Sequence, residues 1–161
     1  METAVRKSKV GDSAPAFTLS DQEGKSHSLS DQKGKWVLIY FYPKDDTPGC
    51  TKEACGVRDK LPEFRKKNAV VFGVSADSVE SHKKFARKFK LPFPLLSDPE
   101  KKMIGAYGAW GEKKFMGRSY MGIHRISVLV DPKGTIAKIY EKVKPEEHPS
   151  EVLADLVQLG A

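Results

Sequence analysis

At 161 residues the chain is long enough for one domain that buries a substantial core without staples, and its two cysteines are too few for a disulfide framework. The formal charge of +7 would suit an anionic partner, but it is spread over Arg6 to Lys9, Arg65 to Lys67, Lys83 to Lys90, Lys101 to Lys102 and Lys113 to Arg118, as on solvated helix faces and loops. No zinc-finger, glycine-rich phosphate or RNA-recognition pattern accompanies it, which argues against nucleic acid as partner. No charged-then-apolar leader precedes the first strand and the longest apolar run is far short of a membrane span, so the expectation is a soluble protein of a reducing cytoplasm with no membrane partner.

In chain order, Ala16 to Leu19 and Lys25 to Leu29 flank Asp21-Gln22-Glu23-Gly24 and predict a short hairpin. Trp36 to Tyr42 is a continuous apolar and aromatic run stopped by Pro43, the pattern of a fully buried strand. A helix follows from about Pro48, with a kink or a new first turn expected at Pro62. Ala69 to Val74 is a second buried strand, and Ser78 to Lys90 a helix with Val79, His82, Ala86 and Phe89 on one stripe. Strand, helix, strand and helix in succession imply a parallel core.

Pro92 and Pro94 precede a short strand at Leu95 to Leu96 and a predicted helix over Pro99 to Tyr107. Gly105 to Gly122, with five glycines among Trp110, Phe115, Met116 and Tyr120, reads as an irregular loop. Ile126 to Val130 and Thr135 to Tyr140 flank the turn signal Asp131-Pro132-Lys133-Gly134 and form an antiparallel pair. A last helix starts near Pro149 or Ser150, buries Val152, Leu153, Leu156 and Val157, and stops at Gly160. The α/β pattern is that of a thioredoxin-like fold with an N-terminal β-hairpin extension and a central mixed sheet flanked by helices, one domain over 1–161. No exposed apolar stripe argues for an oligomer.

The chemistry concentrates in Pro43 to Cys55, which carries both cysteines at a helix start. Thr47 suits the N-cap and Pro48 the first helical position, so Cys50 falls in the first turn, near unpaired N–H groups and the positive end of the helix dipole. Both favour thiolate over thiol. Ionisation alone gains only about thirtyfold in reactive species over a free thiol of pKa ~8.5, so a fast reaction at Cys50 needs further groups that bind developing charge.

This segment resembles the peroxiredoxin signature Pro-x-x-x-Thr/Ser-x-x-Cys, filled by Pro43, Thr47 and Cys50, and Cys55 is similar to the second cysteine of the bacterioferritin comigratory protein, or peroxiredoxin Q, branch. The likeness extends to Ala14 to Leu19, Tyr40 to Pro43, Leu95 to Asp98 and Gly122 to Ser127. It implies a thiol-dependent peroxidase that reduces hydrogen peroxide and organic hydroperoxides, an antioxidant activity needing no cofactor or metal. Cys50 is then the peroxidatic cysteine and Cys55 the resolving cysteine of an intramolecular disulfide. Arg125 supplies a permanent charge to the sulfur and a peroxide oxygen, Thr47 a hydroxyl, and Pro43 shields the thiolate. Glu53 would hold an arginine in place. The branch implies thioredoxin or a similar dithiol as reductant and a monomer.

Plainer readings stand beside each role. Thr47 can be only a cap, and a strand-start arginine is commonly a surface or ion-pair residue. His124 could support the neighbouring Arg125 from behind, but its plainer reading is a partly buried strand histidine. A thiol-disulfide oxidoreductase or redox-regulated binding protein on the same fold is a competing class, although four residues rather than two separate Cys50 from Cys55. His27, His82, His124 and His148 lack the spacing to complete a metal site with the cysteines.

Overall fold

The computed structural model describes residues 8–161; Arg6 and Lys7 of the first basic cluster lie outside them. Its elements are β1 (Thr18–Ser20), β2 (Ser26–Ser28), a 3-10 turn (Leu29–Gln32), β3 (Trp36–Phe41), α1 (Pro48–Lys66), β4 (Ala69–Ser75), α2 (Val79–Phe89), β5 (Leu95–Ser97), α3 (Lys102–Ala106), β6 (Trp110–Phe115), β7 (Arg118–Ile123), β8 (Ser127–Val130), β9 (Ile136–Tyr140) and α4 (His148–Gln158). The main sheet runs β5-β4-β3-β8-β9. Its β3, β4 and β5 are parallel, and β8 and β9 are antiparallel. The expected mixed sheet with a parallel half is thus in place, and β1–β2 form the N-terminal hairpin.

Because strand side chains alternate, β3 serves two cores. Leu38, Tyr40 and Tyr42 face α1, α2 and α4, packing with Val57, Leu61, Phe64, Phe85, Val152 and Leu156. Val37, Ile39 and Phe41 face α3 and the N-terminal hairpin, with Met103, Ile104, Tyr107 and Phe17. Tyr40 pairs in register with Gly73 of β4, and a Cβ at Gly73 would stand 2.9 Å from both the Tyr40 ring and its hydroxyl oxygen. The bare glycine therefore makes room for the tyrosine beneath α1.

Several expectations are corrected. Gly105 to Gly122 is no irregular loop: it contains the end of α3 and most of the β6–β7 hairpin, in which Gly111 pairs with Gly122 near the base. Its apolar residues do not alternate because most of the hairpin has no buried face, which hid the period of two. The helix expected over Pro99 to Tyr107 shrinks to Lys102–Ala106, since Lys101 takes a left-handed conformation at φ 62°. Pro62 sits inside a continuous α1 and starts no new helix. Phe85, rather than Val79 or Phe89, joins His82 and Ala86 as the buried face of α2. On α4, Val157 is exposed.

Candidate functional site

The polypeptide leaves the sheet at the C-terminal end of β3 and turns into α1 through Tyr42 to Thr47. A buried network fixes this turn. Tyr42 Oη donates to Asp45 Oδ1 at 2.6 Å, and Ser81 Oγ donates to Asp45 Oδ2 at 2.8 Å. His82 Nδ1 lies 2.7 Å from the same oxygen, while its Nε2 donates to the Leu96 carbonyl at 3.0 Å. The Asp45 amide in turn donates to Asp77 Oδ2, which also accepts from Ser75 Oγ. Asp45, Asp77 and His82 thus gather their ligand-type atoms within 4.8 Å, but these atoms are already taken up by one another and by Tyr42, Ser75 and Ser81. Their role is to tie α2 and the end of β4 to the loop that carries the cysteine.

Thr47 occupies the N-cap position of α1 with extended backbone, and Pro48 follows at the first helical position. The Thr47 hydroxyl makes no cap; it donates to the Lys44 carbonyl at 3.0 Å, tightening the loop instead of reaching the helix amides. Thr51 N donates to Thr47 O at 2.8 Å, so the first helical bond begins there. Pro48 has no N–H, and among the described residues the amides of Gly49 and Cys50 in the first turn have no partner. Cys50 is 1% exposed.

Arg125, between β7 and β8, closes the site from the far side. Its Nη2 donates to Cys50 Sγ at 3.2 Å and its Nη1 to Glu53 Oε1 at 2.8 Å. A Cβ on Gly49 would come within 3.1 Å of that Nη2, so glycine permits the approach. Glu53 is 0% exposed, and its second oxygen has no partner among the described residues. Burial raises its carboxyl from 4.5 to about 7, outweighing the lowering by Arg125. Arg125 itself is held above its ordinary value: burial lowers it, but Cys50 and Glu53 together win.

The folded state therefore binds the Glu53 proton more tightly than the unfolded chain does. Its contribution to stability is complete below 4.5 and is lost as pH rises to about 7. Relative to Glu53→Gln, which does not titrate, the wild type is expected to lose about 3 kcal/mol across that window. Urea unfolding of both proteins as a function of pH measures it; a constant difference would place the carboxyl at its ordinary value.

Tyr40 belongs to the site although sequence reading assigned it only to a buried strand. Its buried hydroxyl has no partner among the described residues. Desolvation first, then the nearby Glu53, Cys50 and Asp45, raise it well above the usual phenol range, so it remains an O–H donor. The signal was in the alternation of β3, which puts Leu38, Tyr40 and Tyr42 on the face that α1 covers.

The remaining predicted residues fall as follows. Pro43 is half-buried at the end of β3. Cys55 is half-buried on α1 as a free thiol, and so is Cys50 fully buried. His124 is half-buried between β7 and β8 rather than on a strand, its Nε2 3.1 Å from where a Cβ on Gly111 would stand. It lines a cavity with Trp110, Glu112 and Glu141, to which neither Cys50, Glu53 nor Arg125 contributes.

Residues 10–139 match the AhpC/TSA family. The chain is 48% identical over 145 residues to the protein named Peroxiredoxin Bcp of Escherichia coli K12, covering 90% of this chain and 93% of that one. The chain belongs to the AhpC/TSA family, in its bacterioferritin comigratory protein or peroxiredoxin Q branch. Peroxiredoxin Bcp of Bacillus subtilis 168 is 47% identical over 152 residues, covering 94% and 97% of the two chains. Among solved structures, the Xanthomonas campestris bacterioferritin comigratory protein, studied for alkyl peroxide reduction, superposes with a TM-score of 0.86 at 39% identity, covering 90% of this chain and 92% of that one. A Xylella fastidiosa peroxiredoxin Q mutant gives 0.89 at 35% identity, covering 95% and 98%. These peroxiredoxins share the thioredoxin-like fold described above.

Proposed function

We propose that the chain acts as a thiol-dependent peroxidase through Cys50, over a single thioredoxin-like domain spanning residues 1–161. The observation that carries this reading is a buried sulfur, set in the first turn of α1, that accepts a guanidinium N–H at 3.2 Å. A thiolate nucleophile and a departing oxyanion both need such a donor. The Cys50 thiolate attacks one peroxide oxygen; the S–O bond forms as the O–O bond breaks, and the other oxygen leaves as hydroxide or alkoxide and takes a proton from solvent. Arg125 spans sulfur and peroxide with its fork. Thr47 shapes the entry through its bond to Lys44, and Pro43 screens the sulfur from water.

Cys55 then attacks the Cys50 sulfenic acid, forming the intramolecular disulfide and releasing water. A dithiol reductant of the thioredoxin type returns both thiols by exchange. The substrates are hydrogen peroxide and organic hydroperoxides, the setting a reducing cytoplasm, and the working form a monomer; among the described residues no helix is long and apolar enough to cross a membrane.

Steady-state turnover tests the cycle. Thioredoxin, its reductase and NADPH should support reduction of hydrogen peroxide and of an alkyl hydroperoxide, with NADPH consumed in proportion to peroxide. Consumption independent of peroxide would instead favour a general disulfide oxidoreductase.

A further inference from the structure

The tip of the β6–β7 hairpin is built in a way that neither the fold nor the peroxidase reaction requires. The two strands form a sheet of their own, and only Trp110 and Ile123 at the base pack into the core. Beyond them Phe115 is 66% and Met116 86% exposed, with Tyr120 and Met121 also exposed. A free two-stranded hairpin is marginal in water, so large apolar side chains on it act as a liability unless something covers them.

Met116 and Gly117 connect the strands with φ of 51° and 79°. Such a two-residue turn favours Asn, Asp or Gly at its first position, and a methionine there is strained. The side chain is thus in place despite the turn.

Register puts apolar and cationic groups on both faces. Phe115 pairs with Arg118 and Lys113 with Tyr120 on one; Glu112 pairs with Met121 and Lys114 with Ser119 on the other. Lys113 is directed back to the base, donating to the Ile123 carbonyl at 2.9 Å. Among the described residues Lys114 and Arg118 enter no ion pair, and no carboxylate lies in the sequence between Glu112 and Asp131. A second copy of this chain would bring these cations against their own kind. A protein groove would cover one face of the hairpin, whereas a bilayer surrounds an inserted tip.

We propose that the Phe115-Met116 tip inserts into the interfacial layer of an anionic bilayer, with Lys114 and Arg118 on its headgroups. Such insertion departs from the expectation of no membrane partner but needs no membrane-spanning helix, and a tip of this size leaves no trace in a hydropathy reading.

Sedimentation of the reduced full chain with vesicles of phosphatidylcholine alone, or containing phosphatidylglycerol, tests this. The chain should sediment with the anionic vesicles and be released by salt. Lys114→Gln with Arg118→Gln should weaken binding by on the order of twentyfold, about fivefold per cation. Phe115→Ser should weaken it by about tenfold or more. Met116→Asn, which suits the turn, should also lose binding while the melting temperature does not fall and hydrogen peroxide reduction is unchanged. Absence of binding, or binding that the Phe115 and Met116 variants retain, would overturn the proposal; the second result would mean that net charge alone acts. Loss of reductant coupling in these variants without vesicle binding would assign the tip to a protein partner and overturn it equally.

Discussion

Arg125→Ala is expected to slow oxidation of Cys50 by roughly 10²–10³-fold while the protein remains folded. The side chain uses both arms: one N–H meets the sulfur at 3.2 Å and the other the buried carboxylate of Glu53 at 2.8 Å. In the proposed mechanism Glu53 therefore sets the angle at which the fork faces a peroxide. Arg125→Lys keeps the charge but not the fork, and should recover only a small part of the rate. The truncation leaves Glu53 buried without its cation, yet a carboxyl already raised to about 7 can take up a proton in response. The loss of stability should accordingly be smaller below pH 7 than above it. Stopped-flow oxidation by hydrogen peroxide, with thermal unfolding on either side of neutrality, separates the effects. An unchanged rate would remove Arg125 from the mechanism.

Oxidation is expected to expose the backbone amides of the first turns of α1, from Thr47 to about Gly56, with exchange protection falling by at least about tenfold. Five residues along a helix place two α-carbons about 8.6 Å apart on different faces, and a disulfide tolerates little more than ~7 Å. With both cysteines inside one unbroken helix, Cys50 cannot reach Cys55 without unwinding it. The same step withdraws Cys50 and Glu53 from Arg125 and loosens Gly56 from Pro149, where a Cβ would come within 3.2 Å of the proline ring. Pro149 is the second residue of α4, whose buried His148 at the helix start bonds Ser127 of β8 at 2.7 Å, so that end of α4 stays anchored when α1 releases it. Exchange mass spectrometry on the reduced and oxidised proteins reads the change, and equal protection in the two forms would contradict intramolecular resolution.

Much of this was legible in the sequence because the signals were local. The apolar run into Pro43 and the Thr47-Pro48 start of α1 carry their own boundaries, and they placed Cys50 in a first helical turn. The pairing of Arg125 with Cys50 spans seventy-five positions. No local pattern encodes it, and only the family resemblance pointed to it. Thr47 shows the opposite failure: its residue type suits a cap, but a nearby carbonyl at Lys44 competes for the hydroxyl and wins. Tyr40 and the Asp45-His82 pair were hidden because strand and helix patterns report burial, not which buried polar atoms meet. The β6–β7 hairpin escaped because a strand pair without a buried face leaves no alternation to read.

In the proposed cycle peroxide oxidises Cys50 first, and Cys55 then completes the disulfide. One equivalent of hydrogen peroxide added to the reduced protein at neutral pH, followed by free-thiol content and intact mass alongside Cys50→Ser and Cys55→Ser, tests it most directly. Both wild-type thiols should vanish together far faster than free cysteine reacts, Cys50→Ser should be inert, and Cys55→Ser should stop at a single added oxygen. A wild type that reacts no faster than free cysteine, or a Cys50→Ser protein that reacts as the wild type does, would contradict the account.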